Sequence, residues 1–146
     1  MAARIITAAV GVPAIVLLAL QGGWPFFVLV LALAEAGLVE YYRLTQIPRL
    51  LCTWGYVVTA ALLASAFMRG VQCSCLLFTA GITGLLLVVL FGFPRHTFQE
   101  AGTALLGVCY IPFFFSYLLL LRALPQGERV TLLTFVLTWT VDSAAF

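Results

Sequence analysis

CSCLLFTAGITGLLLVVLFGF, running from Cys73 to Phe93, holds no charged residue in 21 positions. Hydrocarbon is crossed by about 20 apolar residues in a helix, so this stretch reads as a transmembrane helix. Working outward from it, five further apolar runs appear: Ile5 to Leu20, Trp24 to Tyr42, Leu50 to Met68, Ala101 to Leu121, and Val130 to Phe146. Their separators are Gln21-Gly22-Gly23, Arg43 to Arg49, Arg69 to Gln72, Pro94 to Glu100, and Arg122 through Arg129. Each link is only a few residues, which makes consecutive helices antiparallel. The fold class is therefore all-α, a polytopic membrane protein of about six transmembrane helices with short connecting loops. Residues 1–146 read as a single transmembrane helical domain.

Composition points the same way. Hydrophobic residues make up 64% of the chain and charged residues 8%, with a mean hydropathy of +1.19. A water-facing surface needs roughly a quarter or more of its residues charged; this chain has seven arginines, five acids and no lysine. Lipid is its main solvent. A net charge of +2, carried by singly scattered arginines, excludes a nucleic-acid surface.

The first run is the shortest, and its 16 residues cover only about 24 Å as a helix. Arg4 followed by an apolar stretch resembles the opening of a signal peptide. The run leads straight through Gln21-Gly22-Gly23 into another apolar segment without a small-residue cleavage site, so retention as a first helix is the better reading. Counting arginines on alternate sides puts Arg4, Arg43, Arg49 and Arg95 on one face and Arg69, Arg122 and Arg129 on the other. The bias of one charge favours a cytoplasmic N-terminus, which brings the distal end of the last helix, with Asp142, toward the cytoplasm.

Small residues at helical spacing (Ala8 with Gly11, Ala80 with Gly84, Thr103 with Gly107) supply faces for close helix approach. Pro13 and Pro112 lie within runs and each removes a backbone bond there. The close pair Cys73 and Cys75 points to opposite sides of a helix, and Cys52 and Cys109 lie in other apolar runs, so the cysteines read as small filler rather than a metal site. His96, beside Arg95 in a link, reads as a solvated loop side chain.

The acids carry more information, because a charge at membrane depth is costly and marks function by default. Glu40 has an interfacial position and Arg43 three residues on as a partner. Glu35 sits mid-run with no such partner and must face the helix bundle. Asp142 is followed by Ser143 and preceded by Thr138 and Thr140, a small polar cluster. An aspartate among hydroxyls suits a hard cation such as Mg²⁺, which takes oxygen ligands and bridges to phosphate. One carboxylate does not complete such a site.

Four stretches resemble the CDP-diacylglycerol synthases, or phosphatidate cytidylyltransferases. Arg4-Ile5-Ile6-Thr7-Ala8 is similar to that family's N-terminal opening, and Glu40-Tyr41-Tyr42-Arg43-Leu44 to the acidic-aromatic segment that ends its second helix. Gly107 to Phe114, followed by Leu121-Arg122-Ala123-Leu124, resembles the next block. Thr138 to Phe146 (TWTVDSAAF) resembles the pattern of an apolar helix, Asp, a hydroxyl residue, small residues and an aromatic.

The resemblance implies an enzyme that condenses CTP with phosphatidic acid, releasing pyrophosphate and making CDP-diacylglycerol for phospholipid biosynthesis at the cell membrane. It implies Asp142 as a catalytic metal ligand for Mg²⁺, and Ser143 and Arg4 as substrate-binding residues, with Arg43 a further arginine for lipid phosphate. The family's glycine-basic, lysine-rich and late acidic segments are not among these residues, so the chain reads as the N-terminal part of such an enzyme, truncated before its nucleotide-binding part and inactive alone. CTP, phosphatidic acid and membrane lipid are the implied partners, with no nucleic acid; assembly as a homodimer stays open. The rival readings are a small transporter or channel, with Glu35 and Asp142 marking an ion path, and a non-catalytic membrane subunit. The first half shows no convincing repeat in the second, which disfavours a transporter.

Overall fold

The computed structural model describes the backbone of residues 2–69, 71–95 and 97–144, and the side chains of 11–68, 74–95 and 97–144. Seven helices and no strand occur among the described residues: α1 (Ala2–Gln21), α2 (Gly23–Thr45), α3 (Arg49–Arg69), α4 (Val71–Gly92), α5 (Phe98–Tyr110), α6 (Pro112–Arg122) and α7 (Gly127–Ala144). Over its described residues each of the six apolar runs is largely helical, the fifth as two helices. Among the described residues, four stretches are long and apolar enough to cross a membrane: Gly23–Thr45, Arg49–Met68, Ser74–Gly92 and Phe98–Arg122. The part of α1 whose side chains are described, Gly11–Gln21, is also apolar. Helix α7 is absent from the four because Glu128, Arg129, Asp142 and four threonines dilute its apolar character.

Turn chemistry sets the boundaries. Gly22 alone separates α1 from α2, with Gly22 and Gly23 both at positive φ. Gln46 adopts φ 53° and its N–H donates to the Tyr42 carbonyl (3.0 Å), a left-handed cap after which Pro48 prevents the helix from continuing. Helix α5 begins with a capping box: Thr97 accepts from the Glu100 N–H while the Glu100 carboxylate accepts from the Thr97 N–H. Pro112 divides the fourth span into α5 and α6. It lacks an N–H, yet Ile111 still donates to Gly107 and Phe115 to Ile111, so one helical bond is lost and the path continues.

The chain packs as two compact units. One comprises Val30–Leu120, where α3 and α4 form the most extensive helix pair and α5 packs on both. Their register is antiparallel. The Trp54 indole N–H donates to the Gly81 carbonyl (3.1 Å) near one end, and the hydroxyls of Ser65 and Ser74 meet at 3.0 Å near the other. Leu51, Leu85, Val89, Ala101 and Ala104 form a buried core, flanked by Trp54 and Leu105.

The other unit comprises Met1–Leu29 and Leu121–Phe146, where α1 packs against α7. Here the Arg122 guanidinium donates from Nε to the Ala19 carbonyl (2.9 Å) and from Nη2 to the Leu20 carbonyl (3.1 Å). Those are acceptors left unpaired by the end of α1, where a cation also complements the helix dipole.

Candidate functional site

Asp142 stands in the last turn of α7, exposed, with Ser143 exposed beside it. The threonines expected around it turn the other way. Thr138 donates to the Thr134 carbonyl (2.9 Å) and Thr140 to the Val136 carbonyl (2.7 Å), the usual use of a hydroxyl on a helix without water. Of the polar cluster read from the sequence, Thr138 and Thr140 thus spend their protons on their own helix, while Asp142 and Ser143 are exposed at its end. Carboxylate and hydroxyl oxygens are the donor type a hard divalent cation takes. Asp142 fits that role as one contributor; no group of three or more histidine, cysteine or acidic side chains that could hold a metal occurs among the described residues. The side chain of Arg4 lies outside the described residues, as do His96 and the side chain of Cys73.

In the Val30–Leu120 unit, the structure joins two of the motifs. The Tyr41 hydroxyl donates to the Thr103 carbonyl (3.2 Å) and the Tyr42 hydroxyl to the Ala104 carbonyl (3.0 Å). Both rings lie on Gly107, where a Cβ would come within 2.9 Å of ring atoms of each. Thus the acidic-aromatic segment closing α2 is seated on the glycine of the Gly107–Phe114 block. Glu40 and Arg43, on either side of the tyrosine pair, are exposed, and no ion pair joins them among the described residues. Arg43, in the last turn of α2, keeps its guanidinium available to an anion. Glu35 is half-buried, seven residues before Tyr42 and so on the same face of α2.

Cys52, Cys75 and Cys109 are free thiols. Cys52 and Cys109 are half-buried packing residues as expected, but Cys75 is exposed. It edges an apolar pocket walled by Leu62, Phe78, Phe113 and Tyr117, a lining that accepts hydrocarbon and offers a nucleotide little. Sequence reasoning passed over Arg122, whose guanidinium holds the carbonyls at the end of α1. The signal for Arg122 was its place beside a turn, where a long cationic side chain can reach carbonyls at a helix end.

The sequence model of the cytidylyltransferase family matches residues 2–146. The chain belongs to the cytidylyltransferase family. No curated protein and no solved structure matches it. As a cytidylyltransferase it is a nucleotidyltransferase, with four helices among the described residues long and apolar enough to cross a membrane.

Proposed function

We propose that this cytidylyltransferase is a phosphatidate cytidylyltransferase of the cell membrane, making CDP-diacylglycerol and pyrophosphate from CTP and phosphatidic acid for phospholipid biosynthesis. The observation that carries the reading is the family match over residues 2–146 on a chain whose spans are made for lipid. A cytidylyl acceptor that lives in the bilayer is the substrate such a scaffold can reach.

In the reaction a phosphate oxygen of phosphatidic acid attacks the α-phosphorus of CTP, a new P–O bond forms, and the bond to the β-phosphate breaks with pyrophosphate leaving. Catalysis of this kind consists of alignment and charge neutralisation. A bound divalent cation such as Mg²⁺ would supply the neutralisation of phosphate charge. Asp142 would hold that cation through its carboxylate, and Ser143 would donate to a phosphate oxygen. Arg4 and Arg43 would attract the phosphate headgroup of the lipid at the interface. The α5–α6 span and the pocket beside Phe78 and Phe113 offer apolar surface to acyl chains.

The test follows the label. With CTP labelled at the α-phosphorus, the full-length protein in phosphatidate-containing micelles should move label into a chloroform-soluble product, and with CTP labelled at the γ-phosphorus the label should stay in water as pyrophosphate. Water-soluble α-label throughout, with phosphatidate present, would reject a lipid acceptor.

A further inference from the structure

Helix α7 is anchored at the end opposite to Asp142. Its fully buried residues, Gly127 and Thr131, both lie in the first turns, and from Val136 to Ala144 every side chain except that of Trp139 is exposed. The direction of the helix is thus set where it begins. There Gln126 takes a left-handed conformation, φ 62°, and Gly127 is pressed so closely on the chain that a Cβ would collide with the carbonyl oxygens of Leu121 and Arg122. The same Arg122 reaches the other way: its guanidinium holds the Ala19 and Leu20 carbonyls and fills the space where a side chain at Gly22 would stand, with Nη2 2.6 Å from such a Cβ. One residue therefore ties the end of α1 to the turn that starts α7: its guanidinium holds the α1 carbonyls, and its own carbonyl leaves room only for glycine at position 127.

We propose that Arg122 and Gly127 are positioning residues for Asp142, forming a pivot that fixes the direction in which α7 leaves the turn. The proposal rests on the reading of Asp142 as a site residue. Fifteen residues of helix separate Gly127 from Asp142, a lever of about 22 Å. A tilt of about 10° at the pivot displaces the carboxylate by about 4 Å, whereas a functional group must be held within about 0.5 Å of its working place.

The experiment uses the full-length protein with its native cysteines replaced, spin labels on cysteines introduced at the exposed positions Leu17 and Leu137, and steady-state kinetics on the unlabelled variants. Gly127→Ala is expected to shift or broaden the α1–α7 distance by several ångström and to lower kcat at least tenfold, with the KM for CTP changing less than threefold. Arg122→Ala, which removes the donors from the Ala19 and Leu20 carbonyls, is expected to do the same, and Arg122→Lys to give an intermediate effect because one amine reaches one carbonyl. If Gly127→Ala does not insert, these two variants decide. Gly102→Ala, where an added Cβ meets nothing within 4 Å, should change neither quantity. Parental distances in the pivot variants overturn the pivot, and altered distances with parental kcat overturn its link to the site. An Asp142→Asn enzyme at the parental rate overturns instead the reading beneath the proposal, and the altered distance in Gly127→Ala would persist to show which of the two had failed.

Discussion

Gly107 has no room for a side chain, because the rings of Tyr41 and Tyr42 occupy the space a Cβ would take. Adding a methyl there must push two aromatic side chains off α5, and overpacking of that kind costs about 1–3 kcal/mol. Removing the Tyr42 hydroxyl is milder. Its acceptor, the Ala104 carbonyl, keeps its helical partner, and a side-chain hydrogen bond between membrane helices averages about 0.6 kcal/mol. Gly107→Ala should therefore lower the melting temperature in detergent by clearly more than Tyr42→Phe. The reverse order would show that the hydroxyl, rather than the close fit of ring on glycine, holds α2 to α5. Spacing suggested Thr103 and Gly107 as a small-residue face. That aromatic rings rather than a helix backbone fill it was not legible, since nothing in the sequence tells which partner takes up a vacancy.

At the scale of elements, the boundary of α5 is made by Thr97 and Glu100, which exchange hydrogen bonds at 3.3 and 2.8 Å. Thr97→Ala removes the oxygen that caps the helix and should cost about 1 kcal/mol, whereas Glu100→Gln keeps the reciprocal bond and should cost less. Thermal unfolding followed by helical circular dichroism distinguishes them; a larger loss for Glu100→Gln than for Thr97→Ala would mean that the carboxylate charge at the helix start, rather than the cap, carries the boundary. The Thr97-Phe98-Gln99-Glu100 spacing was in plain view in the sequence, three residues ahead of the start assigned from hydropathy at Ala101. Hydropathy misplaces such an end because the cap is polar by necessity. It also marks Val130 to Phe146 as a run equal to the others, whereas the polar residues along α7 set that helix apart from the four fit to span.

For the whole molecule, the alternation of apolar runs and short links made the all-α membrane fold readable, because each backbone group in lipid must be paired within its own helix. The site was less readable. Asp142 stands out as a charge in an apolar chain, but the direction of α7 that places it is set at Gly127, whose need for glycine comes from the carbonyls of Leu121 and Arg122; a contact across a turn leaves no periodic trace. The family match supports cytidylyl transfer, and Asp142 is the residue proposed to carry it. The most direct measurement is the rate at which full-length Asp142→Asn protein transfers α-labelled phosphate from CTP to phosphatidic acid, beside the parent at equal Mg²⁺. Asn keeps the size of the side chain and removes the charge that neutralises a cation, a contribution of several kcal/mol to such reactions, so the rate should fall at least about 100-fold. Transfer at close to the parental rate would contradict the account.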